Sequence, residues 1–285
     1  MTPRNQIWQI RNRRLDLADR PLVLGIVNVT PDSFSDGGRF STSDAAVAHG
    51  LQLVAQGADM LDVGGESSRP GAIPVSEEEE LARVVPVVER LASQVEVPIS
   101  IDTYKAATAS RCLQAGASIV NDITALRDPA MAPLIAQTGA GVILMHMQGT
   151  PATMQLAPRY DDVVGEVRRF FQDRLQESLN KGIALEQVAL DPGIGFGKKT
   201  EHNLTLLARL AEFQDLGRPV ALGVSRKGLL GRLLDRPLEK RLAGSLAIAS
   251  DALSQGSVQI LRVHDVEETR DAVTVLTAVR RVRRP

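Results

Sequence analysis

Eight short apolar runs, each followed by a stretch of helical periodicity, constrain this chain more than any other feature of it. They are "LVLGIVNV" (22–29), "DMLDV" (59–63), "VPISID" (97–102), "SIVNDI" (118–123), "GVILMHM" (141–147), "QVALD" (187–191), "PVALGVS" (219–225) and "VQILRVHD" (258–265). Nearly continuous apolar runs of this length are what parallel strands buried on both faces require. Between them, "SEEEELARVVPVVERL" opens with a capping box, Ser76 and Glu79, and sets Leu81, Val84, Val85, Val88 and Leu91 on one face. Pro86 inside it weakens the case for an unbroken helix. "DDVVGEVRRFFQDRLQESLNKG" repeats the spacing with Val163, Val167, Phe171, Leu175 and Leu179, and Gly182 stands where a C-terminal cap belongs. Strands and helices alternating eight times in 285 residues predict a TIM (β/α)8 barrel, with an open doubly wound sheet as the alternative. No linker-like shift in composition divides the chain, so one domain over residues 1–285 is expected. Residues 6–17 read as an N-terminal β-hairpin packed by Trp8.

The charge balance removes some classes of function. With 33 basic and 34 acidic residues the net charge is −1, which gives no general pull toward nucleic acid or an anionic membrane. Any anion site must therefore be local. Cys112, the only cysteine, excludes an intrachain disulfide and reads as a helix packing residue. The N-terminus lacks the apolar core of a signal peptide, and no apolar run approaches the roughly 18 residues of a membrane span. A cytoplasmic protein is expected.

The chemistry lies at the strand ends. Every apolar run closes in side chains that can bind or react: Asn28, Asp62 with Glu66, Asp102, Asn121 with Asp122, His146, Asp191, Ser225 with Lys227, and Arg262 with His264. In a parallel barrel those ends meet on one face, the face that carries the active site of this architecture. Helix capping or turn formation is the competing explanation, strongest for Asp62, Asp122 and Asp265. It accounts poorly for charges set among buried strand residues. Two glycine-rich loops, "NVTPDSFSDGG" (28–38) and "GGESSRPGA" (64–72), join the same face and suit closure over an anion.

The stretch "LDPGIGFGKKT" (190–200) imitates a phosphate loop without being one. A dinucleotide fingerprint needs glycine at 198, where this chain has Lys198. A P-loop needs glycine at 192 and a hydroxyl residue at 199, where Pro192 and Lys199 stand. Its glycines read instead as the turn leaving the sixth barrel strand, with Lys198 and Lys199 solvated. His49 and His202, on helical patterns, are expected on the solvent side.

Taken in order, "NVTPDSFSDGG", "GGESSRPGA", "SIDTYK", "NDITA", "LMHMQGTP", "DPGIGFGK", "GVSRKG" and "LRVHD" resemble the successive signatures of the dihydropteroate synthase family, from residue 20 onward. The resemblance implies a transferase of folate biosynthesis and a sulfonamide target. Its reaction joins 6-hydroxymethyl-7,8-dihydropterin diphosphate to p-aminobenzoate and releases pyrophosphate. It also implies a barrel, Mg2+ as cofactor and a homodimer. Carried onto this sequence, the pterin diphosphate site comprises Ser68, Asp102, Asn121, Met145, Asp191, Lys227, Arg262 and His264. Asp102, Lys227, Arg262 and His264 are the catalytic set, and Asn28 holds the metal. Arg69, Pro70, Phe196 and Ser225 form the p-aminobenzoate pocket, while His146 and Met145 wall the pterin. Ser68 stands where most members have Thr, which keeps the hydroxyl, and Tyr104 stands where a small residue is usual. Two other readings remain open at this point, a non-catalytic pterin-binding paralogue and a pterin-binding methyltransferase barrel.

Overall fold

The computed structural model describes residues 7–30, 39–69 and 71–283. Its elements are, in chain order, β1 (Ile7–Ile10), β2 (Arg13–Asp16), β3 (Leu22–Asn28), α1 (Arg39–Ala55), β4 (Met60–Gly64), α2 (Glu77–Ala92), β5 (Ile99–Asp102), α3 (Ala106–Gln114), β6 (Ile119–Asp122), α4 (Met131–Thr138), β7 (Gly141–Met145) and α5 (Val163–Asn180). They continue with β8 (Val188–Asp191), α6 (Thr200–Ala208), β9 (Ala221–Leu222), α7 (Gly228–Leu234), α8 (Leu242–Gln255), β10 (Ile260–Val263) and α9 (Val266–Arg283). Among the described residues β3 to β10 form one parallel sheet in the order β8-β7-β6-β5-β4-β3-β10-β9, and a parallel bridge between Leu190 and Val220 joins its two outer strands. The sheet is thereby the eight-stranded barrel that the alternating pattern predicts. The eight apolar runs match its strands to within a few residues.

Strand alternation sorts the side chains. One set points outward: Val23, Val27, Leu61, Val63, Ile101, Val120, Val142, Leu144, Val188 and Leu190 pack against the helices in a single apolar cluster. The other set points inward. Leu24, Met60, Ile119, Ile143, Ala189, Ala221 and Ile260 meet Trp8, Ile10 and Leu17 from the N-terminal segment. The hairpin β1–β2 thus plugs the N-terminal mouth of the barrel, and Trp8 is fully buried there, its indole N–H donating to the Gln187 carbonyl at 2.8 Å. Trp8 therefore packs the barrel as well as its own hairpin, which closes this end and leaves the other for chemistry.

Local signals in the sequence explain the helix ends. Ser76 caps α2 by accepting from the Glu79 N–H at 3.2 Å. Pro86 does not break that helix, contrary to the expectation, because it lies on the exposed side. There solvent can satisfy the carbonyl that loses its donor. Among the described residues no helix is long and apolar enough to cross a membrane.

Candidate active site

Two residues beyond the inward apolar layer, each strand presents its next inward position: Ile26, Asp62, Asn121, Met145, Asp191, Gly223 and Arg262. Asp102 follows Ser100 in the same way on β5. Period-two alternation therefore places the polar residues above a sealed apolar floor. By register Asn28 lies beside Gly64, Gly64 beside Asp102, and Asp102 beside Asn121, so these four form a row across β3, β4, β5 and β6.

The centre of the layer is a charge cluster. Arg262 donates from Nε to Asp62 Oδ2 and from Nη2 to Asp102 Oδ2, both at 2.6 Å, and Asn121 Nδ2 donates to the same Asp62 oxygen at 3.1 Å. Asp62 is fully buried, and its Oδ1 has no partner among the described residues. The capping explanation for Asp62 is therefore wrong. Asp62 is the buried counter-ion that fixes Arg262 and Asn121. Burial pushes the Asp102 carboxyl up to about 7 against the pull of Arg262, with Asp62, Glu80 and Asp122 adding to the rise.

Beside it lies a second pair. Burial raises the Asp191 carboxyl and brings the Lys227 ammonium down to about 8, and each opposes the shift of the other. Asp191 Oδ1 accepts from the Gly193 N–H at 2.7 Å. Lys227 Nζ donates to the Ile194 carbonyl and stands 4.6 Å from the centre of the Phe196 ring. A Cβ at Gly223 would lie 3.7 Å from Lys227 Nζ and 3.9 Å from Asp191 Oδ2. Met145 packs with Ile123, Met147 and Met154 into an apolar wall against which Tyr104 and Phe196 lie.

At the rim His264 and Ser225 are joined twice. The Ser225 hydroxyl accepts from the His264 backbone N–H at 3.2 Å and lies 3.1 Å from Nδ1. Burial brings the imidazole down to about 4, helped by Arg262, Arg226 and Arg69, so His264 is neutral at pH 7. Ser68 is half-buried in a concavity of about 260 Å3 that Asp102 and Tyr104 also line. Arg69 is exposed. Pro70 and residues 31–38 of the first loop lie outside the described residues.

Some side chains surpass or contradict their sequence reading. Tyr104 reaches the site's edge, where its hydroxyl donates to Glu66 Oε1 at 2.8 Å. Lys105 bridges Glu66 and Glu80 at 2.6 and 2.8 Å, which ties the second loop to α2. Nothing in the run "TYK" foretold this network. Asp122 is the turn former expected, accepting from the Thr124 and Leu126 N–H groups at 2.8 Å each. Asp265 instead pairs with Arg226 through two guanidinium nitrogens. His49 and His202 are half-buried rather than on the solvent side; His202 stacks edge-on with Tyr160 at 5.0 Å. Lys199 is exposed as expected. Lys198 is not: it is 1% exposed, with its Nζ 2.9 Å from His146 Nδ1. Cys112 is a buried helix residue, as read.

Residues 24–264 match the family of pterin binding enzymes. Dihydropteroate synthase of Escherichia coli strain K12 is 52% identical over 264 residues, covering 93% of this chain and 93% of that protein. A Yersinia pestis dihydropteroate synthase solved with a sulfonamide drug complex superposes with a TM-score of 0.91 at 47% identity, covering 97% of this chain and 100% of that one. The Xanthomonas albilineans dihydropteroate synthase solved with 4-aminobenzoic acid gives 0.90 at 49% identity over 96% of this chain and 99% of that one. Likeness of this extent, spanning the barrel and every strand end that carries the polar layer, settles the kinship: the chain belongs to the dihydropteroate synthase family of pterin-binding enzymes.

Proposed function

We infer that this chain condenses 6-hydroxymethyl-7,8-dihydropterin diphosphate with p-aminobenzoate to 7,8-dihydropteroate and pyrophosphate. The observation that carries the reading is the polar layer, buried at Asp62, Asn121 and Asp191 and half-buried at Asp102, Lys227 and Arg262. It holds a carboxylate, an amide, a lysine and an arginine above an apolar floor, which is the donor and acceptor set that a pterin ring requires. Asp191 accepts the side-by-side N–H donors of the aminopyrimidinone edge in a fork, and Asn121, with both donors and acceptors, reads the adjacent edge. Lys227 exchanges its bond to the Ile194 carbonyl for the ring carbonyl and a ring nitrogen. Arg262, planar and already clamped by Asp62, offers its face to the ring and its remaining N–H groups to the diphosphate.

The diphosphate is held by donors at the rim. Ser68 and His264 supply them, and the Ser225 hydroxyl, by donating to His264 Nδ1, leaves Nε2–H free for an oxyanion. Among the described residues no three His, Cys, Asp or Glu side chains form a ready metal cage. A single amide oxygen, that of Asn28, suits Mg2+ as its protein contact, because this ion keeps several waters and takes substrate phosphates as ligands. When bound, the ion neutralises charge on the departing pyrophosphate.

The reaction breaks the C–O bond at the pterin methylene, and the electron pair leaves with pyrophosphate. Asp102 as carboxylate stabilises the positive charge left on the methylene carbon. The arylamine nitrogen then forms the C–N bond and releases a proton. Phe196, Ser225, Lys227 and Arg69 form its pocket. The α9 residues Val275, Val279 and Val282, spaced along one helix face and exposed, suit burial in a homodimer. The near-neutral charge and lone buried thiol fit a cytoplasmic enzyme.

The test is direct. Purified protein incubated with both substrates and Mg2+ forms dihydropteroate and pyrophosphate in equal amounts, and chelation by EDTA abolishes both. Absence of both products beside a working control enzyme refutes the reading. Pterin diphosphate binding without arylamine-dependent turnover would make the chain a binding paralogue instead.

A further inference from the structure

The buried lysine of "GFGKK" serves none of the contacts assigned above. Lys198 is 1% exposed and hydrogen-bonds to no carboxylate among the described residues, the nearest acidic influence on it being Asp191. Its Nζ instead lies within hydrogen-bond reach of four groups: His146 Nδ1 at 2.9 Å, the His146 carbonyl at 3.2 Å, and the Gly193 and Phe196 carbonyls at 3.0 Å each. Two of these belong to the end of β7 and two to the loop after β8. One ammonium-sized group therefore staples the loop to the neighbouring strand.

The rest of that loop is built to be held. Each backbone carbonyl from Gly193 to Lys199 accepts from a side chain: Lys198 serves Gly193 and Phe196, Lys227 serves Ile194, Gln155 serves Gly195, Tyr160 serves Gly197, and Asn203 serves Lys198 and Lys199. Gly193 and Gly197, at φ +68° and +60°, press the backbone against residues 146–148. A Cβ at either would lie 2.0 Å from the His146 carbonyl oxygen or 2.4 Å from that of Gln148. What the loop presents to the site is the Phe196 ring beside Lys227. Asp191 is anchored chiefly outside the clamp: it sits within β8, paired to Met145 in register and bonded through its carbonyl to the His146 N–H at 2.9 Å, and its carboxylate meets the loop only at the Gly193 N–H.

We propose that Lys198 is a positioning residue for the arylamine: by clamping the 193–197 loop to the end of β7 it fixes the Phe196 wall of the p-aminobenzoate pocket, while leaving pterin recognition to the strands. The proposal rests on the reaction inferred above. It predicts a split between the two substrates. In Lys198→Met, KM for p-aminobenzoate rises about tenfold while the calorimetric Kd for pterin diphosphate stays within about twofold and kcat at saturating arylamine within about threefold.

A coupling experiment separates positioning from mere support. If Lys198 acts through Phe196, the double variant Phe196→Ala/Lys198→Met raises the arylamine KM no further than Phe196→Ala alone. Should Lys198→Met fail to fold, Tyr160→Phe removes the donor to Gly197 without uncovering a buried acceptor set as large. It raises the same KM by a smaller factor and leaves the pterin Kd unchanged. Parallel losses for both substrates, or additive effects in the double variant, overturn the proposal while the wild-type enzyme still turns over. No turnover by the wild type would instead sink the functional reading beneath it.

Discussion

Removing the charge of Asp62 should move the pH dependence of the reaction in a direction fixed by the structure. Asp102 must be ionised to stabilise a methylene cation, yet burial holds its carboxyl at about 7. In the wild type kcat/KM for the pterin substrate then rises with pH through that value, and at pH 6 it is about tenfold below its plateau. Asp62 and Asp102 accept from two nitrogens of one guanidinium, so their charges lie close together. Two unit charges about 5 Å apart repel by about 3 kcal/mol at an effective dielectric of 20, or about two pH units as an upper bound. Asp62→Asn removes that repulsion and leaves Arg262 with Asp102 as its sole carboxylate in this cluster. Both effects favour ionised Asp102. The midpoint should fall by about one to two pH units, bringing the rate at pH 6 to within about twofold of the plateau. The assay is kcat/KM between pH 5 and 9 for both proteins, and their comparison cancels the ionisations of the substrates. The plateau height is not diagnostic, since Asp62 also orients Arg262. The midpoint is. A wild-type midpoint near 4, or an Asp62→Asn midpoint unchanged or raised, would refute the reasoning.

Other perturbations read separate parts of the account. Asp102→Asn should lower kcat by about 10²- to 10³-fold while pterin diphosphate affinity changes by less than about threefold, measured by initial rates and calorimetry; equal losses in both would contradict the cation-stabilising role. Asp191→Ala should weaken pterin binding by about 10- to 100-fold, as expected for loss of a charged hydrogen-bonding edge, and unaltered affinity would remove Asp191 from recognition. Gly193→Ala places a methyl 2.0 Å from a backbone oxygen at a left-handed φ, so urea unfolding should show a loss of about 3 kcal/mol or more. A loss below about 1 kcal/mol would mean that the loop does not lie against β7 as described.

The fold was legible because a parallel barrel writes itself plainly: strands buried on both faces leave short apolar runs, and the site lies where those runs turn polar. Asp102, Asn121, Asp191, Lys227 and Arg262 stand at such ends in the sequence, and the structure brings them together. Their partnerships were not legible. Asp62 looks like Asp122 in sequence, each near the end of an apolar run, yet one faces into the barrel and binds Arg262 while the other folds back on its own turn. Which occurs depends on inward or outward register, and a run with few polar residues carries no alternation to reveal it. Lys198 was misread for a related reason. Beside glycines and a second lysine it has the composition of a solvated turn, and His146, which supplies two of its partners, lies 52 residues away. The available signal was indirect: glycines that turn the backbone inward bury carbonyls, and buried carbonyls need a donor. Pro86 misled in the other direction, because its effect depends on which helix face is wet.

The central claim is that the polar layer at the C-terminal end of the barrel reads the pterin while the rim holds its diphosphate. A crystal structure with pterin diphosphate and Mg2+ tests it most directly. The aminopyrimidinone edge should lie at hydrogen-bond distance from Asp191 and Asn121, the ring against Arg262, and the diphosphate near Asn28, Ser68 and His264. A pterin bound away from Asp191, or a diphosphate lodged on the glycines of "GIGFG", would contradict it.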